Sequence, residues 1–159
     1  MNRHVRLGIN IDHVATLRNA RGGDTPKVIE AAKVVEESGA DLITVHVRED
    51  RRHINEKDLG NILDTVNIPV NLEIAANSEM IDIANNYHPK FVCFVPENRK
   101  EITTEGGLDV INNFKELNKV LKSITDTEIN VSIFIDPDKE QIKAVNDLGI
   151  STIEFHTGS

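Results

Sequence analysis

The sequence is poor in several things, and each shortage narrows the reading. It has one cysteine, Cys93, so no internal disulfide can form; within Phe91-Val92-Cys93-Phe94-Val95 the thiol reads as a small core residue. It has no tryptophan, one tyrosine and five phenylalanines, so the core must be built from aliphatic side chains. There is no apolar run near the length of a bilayer span and no signal-peptide pattern, so a cytoplasmic protein that does not enter membranes is expected. Positive charge is also scarce: 18 Lys and Arg against 26 Asp and Glu give a net charge of -8, which argues against nucleic acid and anionic lipid as partners. No Gly-x-Gly-x-x-Gly turn follows the first apolar stretch, which removes the main support for a dinucleotide-binding sheet.

What is present is alternation. Strand patterns are expected over 5–11, 42–48, 69–74, 90–95, 129–135 and 152–156. Between them lie helical patterns: a short one over 14–21, then 26–38, 55–66, 77–87, 108–124 and 137–148. Asn55, and Asn77 or Ser78, can cap two of these, and Gly39 stops another. Such alternation implies parallel strands with helices outside them. The two candidate layouts are an open doubly wound sheet and a closed (β/α)8 TIM barrel.

Polar residues end every strand: Asn10, Asp12 and His13; His46 and Arg48; Glu73; Glu97 just beyond the fourth; Asp136; Glu154 and His156. In a barrel these ends meet at one mouth, whereas in an open sheet only those near the switch point meet. The spread over six strands favours the barrel, here ending after its sixth strand; residues 1–159 are expected to form one barrel domain without its last two units.

The densest signal is Thr44-Val45-His46-Val47-Arg48-Glu49-Asp50-Arg51-Arg52-His53. A strand ending in this way suits an anion site: arginine offers forked donors to phosphate, and histidine moves protons near neutral pH. The local basic cluster Arg48, Arg51 and Arg52 supplies the positive charge the chain otherwise lacks. Glu73, ending an apolar strand, is expected to have its acid form favoured by desolvation, or else to pair with an arginine of the mouth. Other readings also stay open. Asn10 and Asp12 could satisfy loop amides and cap a helix, Glu154 and His156 could pair, and Thr103 could be a helix cap. Gly106-Gly107 could be a turn or a close approach to phosphate. Asp12, His13, His46, His53 and Glu73 together also suggest a metal-dependent barrel hydrolase, although a ligand cluster rich in arginine is disfavoured.

Six segments resemble the pyridoxine 5'-phosphate synthase family. They are Gly8-Ile9-Asn10-Ile11-Asp12-His13 with Ala15-Thr16-Leu17-Arg18-Asn19-Ala20-Arg21-Gly22; the 44–53 segment; Asn71-Leu72-Glu73; Val95-Pro96-Glu97 with Thr103-Thr104-Glu105-Gly106-Gly107-Leu108-Asp109-Val110; Phe134-Ile135-Asp136; and Ile153-Glu154-Phe155-His156-Thr157-Gly158. The resemblance runs the whole length of the chain. It implies a (β/α)8 barrel that condenses 3-amino-2-oxopropyl phosphate with 1-deoxy-D-xylulose 5-phosphate. The products are pyridoxine 5'-phosphate, phosphate and water, and neither a metal nor an organic cofactor is used. By motif, Asn10 and Arg21 match contacts to the aminoketone phosphate. Asp12, His13, Arg48, His53 and Thr103 match contacts to the deoxyxylulose phosphate. His46 and Glu73 match proton acceptors, and Glu154 a residue that stabilises a transition state. The family's proton-donating histidine and further phosphate contacts belong to its last two barrel units, and a homo-octamer built from dimers is implied.

Overall fold

A computed structural model describes residues 5–97, 106–125 and 128–158. The chain order is β1 (Gly8–Asn10), α1 (Asp12–Arg21), α2 (Val28–Glu37), β2 (Leu42–His46), α3 (Glu56–Thr65), β3 (Val70–Ile74), α4 (Ser78–Tyr87), β4 (Phe91–Phe94), α5 (Val110–Leu121), β5 (Asn130–Ile135), α6 (Lys139–Asp147) and β6 (Thr152–Phe155). All five strand pairs are parallel and the sheet order is β1-β2-β3-β4-β5-β6. A doubly wound sheet reverses its strand order at a switch point, and this one never does. The architecture is a half-barrel, with six of the strands of a (β/α)8 barrel.

Register explains how one sheet serves two purposes. Val45, Leu72, Val92 and Val131 lie side by side, as do Ile74, Phe94, Ile133 and Ile153. These alternate positions share one face and pack against Ala15, Ala32, Leu59, Ile62, Met80, Ile81, Leu117 and Val145 of the helices. The intervening positions share the other face: Asn10 beside Thr44 beside Asn71, then His46 beside Glu73 beside Cys93 beside Ser132, and Phe134 beside Glu154. An apolar face buried under helices thus leaves a largely polar face lining the barrel interior.

Element ends differ from the sequence expectation, in β1 and α5 because a partner distant in sequence takes a backbone group. β1 is shorter than 5–11, because Leu7 N–H is taken by the Asp41 carboxylate at 2.7 Å instead of a strand neighbour. β2 ends at His46 and not at residue 48. α1 starts at Asp12 and not at residue 14, and its N-cap Ile11 has no side-chain cap. α5 starts at Val110 because Leu108 N–H bonds to Phe134 O at 2.8 Å, leaving Asp109 as the N-cap. Asn55 and Asn77 cap α3 and α4 as the sequence implies, Asn55 in a full capping box with Asp58. Among the described residues no helix is long and apolar enough to cross a membrane.

Candidate active site

The polar residues gather at the C-terminal ends of the first four strands. Asp12 opens α1 directly after β1, and its carboxylate crosses to the next strand, where Oδ1 accepts from His46 N–H at 2.7 Å. Asn10 holds it from the other side: Asn10 Nδ2 donates to Asp12 Oδ2 at 2.8 Å, and Asp12 N–H donates to Asn10 Oδ1 at 2.9 Å. Both residues therefore satisfy backbone groups, but across the β1–β2 boundary as well as within their loop.

His46 is the hub. Its side chain is 7% exposed, its Nε2 lies 2.9 Å from Glu97 Oε1, and its Nδ1 lies 3.9 Å from Glu73 Oε2. Glu97 Oε2 accepts from Glu49 N–H at 3.0 Å. Burial works to raise the Glu97 carboxyl, but the bonds from His46 and Glu49 N–H, with the charges of His46 and Arg48, hold it below the usual carboxylate range. Glu73 is the opposite case. Burial first, then the neighbouring carboxylates Glu154 and Asp12, push it up to about 8. No arginine contacts it among the described hydrogen bonds and ion pairs, so the pairing alternative is corrected: Glu73 faces His46 and other acids. Glu154 instead meets Cys93, whose Sγ lies 3.6 Å from Glu154 Oε2. The thiol is raised by burial and by Glu154. His156 does not pair with Glu154; its Nδ1 sits 3.1 Å from Asp136 Oδ1 and its ring lies edge-on to Phe134.

His53 is buried 5.6 Å from the His46 ring, centroid to centroid. Its Nδ1 accepts from Ile54 N–H at 3.0 Å, so in the neutral ring Nε2 carries the proton. Burial lowers its pKa; Asp12 opposes this, and His46, Arg48 and His13 reinforce it. The loop carrying His53 is held by α1. Arg18 forks onto Asp58 at 2.6 and 2.9 Å and reaches His53 O, while Asn19 Nδ2 bonds to Arg52 O and His53 O.

Of the three arginines in the local basic cluster, two are tied elsewhere. Arg51 is claimed by Glu56 and Glu79, and Arg52 by Asp50. Arg48 is buried in the cluster, its Nε 3.6 Å from Asp50 Oδ1. His13 is exposed beside Thr16, and Arg21 is exposed in the last turn of α1, about 13 Å along the helix axis from Asp12. Thr103 lies outside the described residues. The Gly106-Gly107 pair is used in an unexpected way: a Cβ on Gly107 would fall 2.1 Å from Asp136 N, so this glycine lets the chain press against the end of β5.

A family model described as "Pyridoxal phosphate biosynthesis protein PdxJ" matches residues 7–159. The chain belongs to the PdxJ family. This PdxJ chain is 50% identical over 159 residues to a pyridoxine 5'-phosphate synthase of Rhodospirillum rubrum, covering 100% of the chain and 64% of that protein. It is 52% identical over 154 residues to one of Aquifex pyrophilus, covering 97% of the chain and 65% of the relative. It thus spans just under two thirds of the length of these curated relatives. Crystal structures of mandelate oxidase match the fold alone, with a TM-score of 0.65, 12% identity, and coverage of 94% of this chain and 55% of theirs. In PdxJ terms the geometry adds one residue that sequence reasoning left without a role, Glu97. Its signal is present: an acid just beyond β4, after Val95 and Pro96.

Proposed function

We propose that the chain carries the amino-terminal part of a pyridoxine 5'-phosphate synthase, which joins 3-amino-2-oxopropyl phosphate to 1-deoxy-D-xylulose 5-phosphate and releases phosphate and water. The observation that carries this reading is His46 standing between Glu97 and Glu73, with Glu73 raised to about 8. Condensing an amine with a ketone, dehydrating and closing an aromatic ring need repeated proton transfers, and a carboxyl that titrates near neutrality beside an imidazole exchanges protons in either direction. Glu73 and His46 are the proton acceptors in this reading. Glu154, on the same inner face, stabilises positive charge that develops during ring formation. Arg48, His53, His13, Asp12 and Thr103 hold the deoxyxylulose phosphate, and Asn10 and Arg21 the aminoketone phosphate. Asp12 acts largely by fixing Asn10 and the His46 backbone.

Residues 1–159 act as one barrel domain in this reading, completed by two more β/α units in the whole protein. The protein works in the cytoplasm as a homo-octamer built from dimers, without metal or organic cofactor. In the test, the complete gene product is supplied with both substrates and pyridoxine 5'-phosphate is followed chromatographically. Product is expected, with His46→Ala and Glu73→Gln each lowering turnover by about 10²- to 10⁴-fold. Normal turnover in both variants would remove the assigned roles.

One observation favours a second reading, a metal-dependent hydrolase: Asp12, His46 and His53 offer ligand atoms within 4.8 Å of one another. The donor set argues against it. Both Asp12 oxygens already accept hydrogen bonds, and His53 Nδ1 accepts from Ile54 N–H. Elemental analysis of the purified protein decides the point, since stoichiometric zinc or manganese would favour the hydrolase.

A further inference from the structure

Glu97 is among the most enclosed carboxylates near the mouth, with a side chain 4% exposed, and an ionised group is kept so only if its oxygens are satisfied. Each oxygen has a partner: Oε2 takes Glu49 N–H at 3.0 Å, and Oε1 faces His46 Nε2 at 2.9 Å. The backbone bond fixes where the carboxylate sits. The His46 backbone is fixed in turn by Asp12 at 2.7 Å. The ring is therefore held from both sides in one orientation.

An ionised carboxylate only accepts hydrogen bonds, so the 2.9 Å contact requires the proton to be on Nε2. The other nitrogen, Nδ1, then carries a lone pair, and the nearest acid to it is Glu73, at 3.9 Å. We propose that Glu97 is a positioning residue: it fixes His46 as the Nε2–H tautomer and so leaves Nδ1 free to take a proton on the side of Glu73. This rests on the reading of His46 and Glu73 as proton-exchanging residues. A proton leaving Glu73 or a substrate carbon is accepted by the Nδ1 lone pair, which gives an imidazolium whose charge Glu97 balances; its return restores the neutral ring.

The glutamine variant makes a specific prediction. In Glu97→Gln the one carbonyl oxygen must still accept from Glu49 N–H, which turns the amide NH₂ toward His46. That NH₂ donates to Nε2, so the ring proton moves to Nδ1 and the lone pair facing Glu73 is lost. Long-range ¹H–¹⁵N correlation spectra of ¹⁵N-histidine-labelled complete protein, with His46 assigned by its absence in His46→Ala, read the tautomer directly. The expected result is Nε2–H in the unmodified protein and Nδ1–H in Glu97→Gln. Turnover of the variant should fall by about 10²- to 10³-fold with KM little changed, and Glu97→Asp should recover part of it. An Nδ1–H tautomer in the unmodified protein overturns the proposal even if no variant folds. A fall in turnover without a change of tautomer also overturns it. A changed tautomer with full turnover supports the positioning by Glu97 and instead removes the proton-transfer role of His46.

Discussion

Three ionisable side chains surround His46, and their surroundings set them apart. Glu97 accepts two hydrogen bonds and is held below the usual carboxylate range; Glu73 faces burial and two other acids and is pushed up to about 8; burial lowers the pKa of His53. Stability should depend on pH accordingly. The unfolded Glu73 carboxyl ionises near its ordinary 4.5 while the folded one does so near 8, so over that interval the unfolded state binds fewer protons and stability falls as pH rises. The slope reaches at most about 1.4 kcal/mol per pH unit. His53 has the opposite sign. Its folded pKa lies below 6.5, so its contribution is lost as pH falls through 6.5 and below. Urea unfolding at pH 6, 7 and 8 should show the Glu73 slope in the unmodified protein and its loss in Glu73→Gln. An unchanged slope in the variant would remove Glu73 as its source.

At the scale of elements, the loop after β2 is held less by its own sequence than by α1 and α3. Arg18 and Asp58 form a shielded, forked pair, 15% and 12% exposed, and Asp58 also completes the capping box of α3. Removing one partner leaves the other charge shielded and unmatched. Arg18→Ala is therefore expected to cost about 3 kcal/mol in urea unfolding and to loosen the loop that carries His53. A second constraint is the packing of Gly107 on β5. Gly107→Ala must displace Leu108 from Phe134 O or move the end of β5, because its Cβ has no room 2.1 Å from Asp136 N. It should lower Tm more than Gly23→Ala, whose Cβ meets nothing within 4 Å. Equal effects of the two substitutions would count against the close approach.

Across the whole molecule, stability is graded from the middle of the sheet outward. Strands β2, β3 and β4 are buried on the helix face and paired on both sides, whereas β1 has three residues and β6 is mostly exposed. Native-state hydrogen exchange should find the amides of β3 and β4 best protected and those of β1 and β6 least. Uniform protection would mean that the described edges are covered in solution.

The strand–helix order, the starts of α3 and α4, and the polar strand ends were legible because each is set by neighbours within a few residues. Periodicity decides which face is apolar, and a capping side chain bonds two or three positions along. The barrel-like order also followed, since the polar ends were spread over six strands rather than clustered at one switch point. Tertiary structure alone decided which charges are used up. Arg51 and Arg52 match Arg48 in sequence, yet Glu56, Glu79 and Asp50 claim them. Glu97 finds His46 51 positions away, and Gly107 finds β5. Side-chain chemistry is written in the residue, but its electrostatic state depends on partners that only the register of parallel strands brings within 3 Å or so.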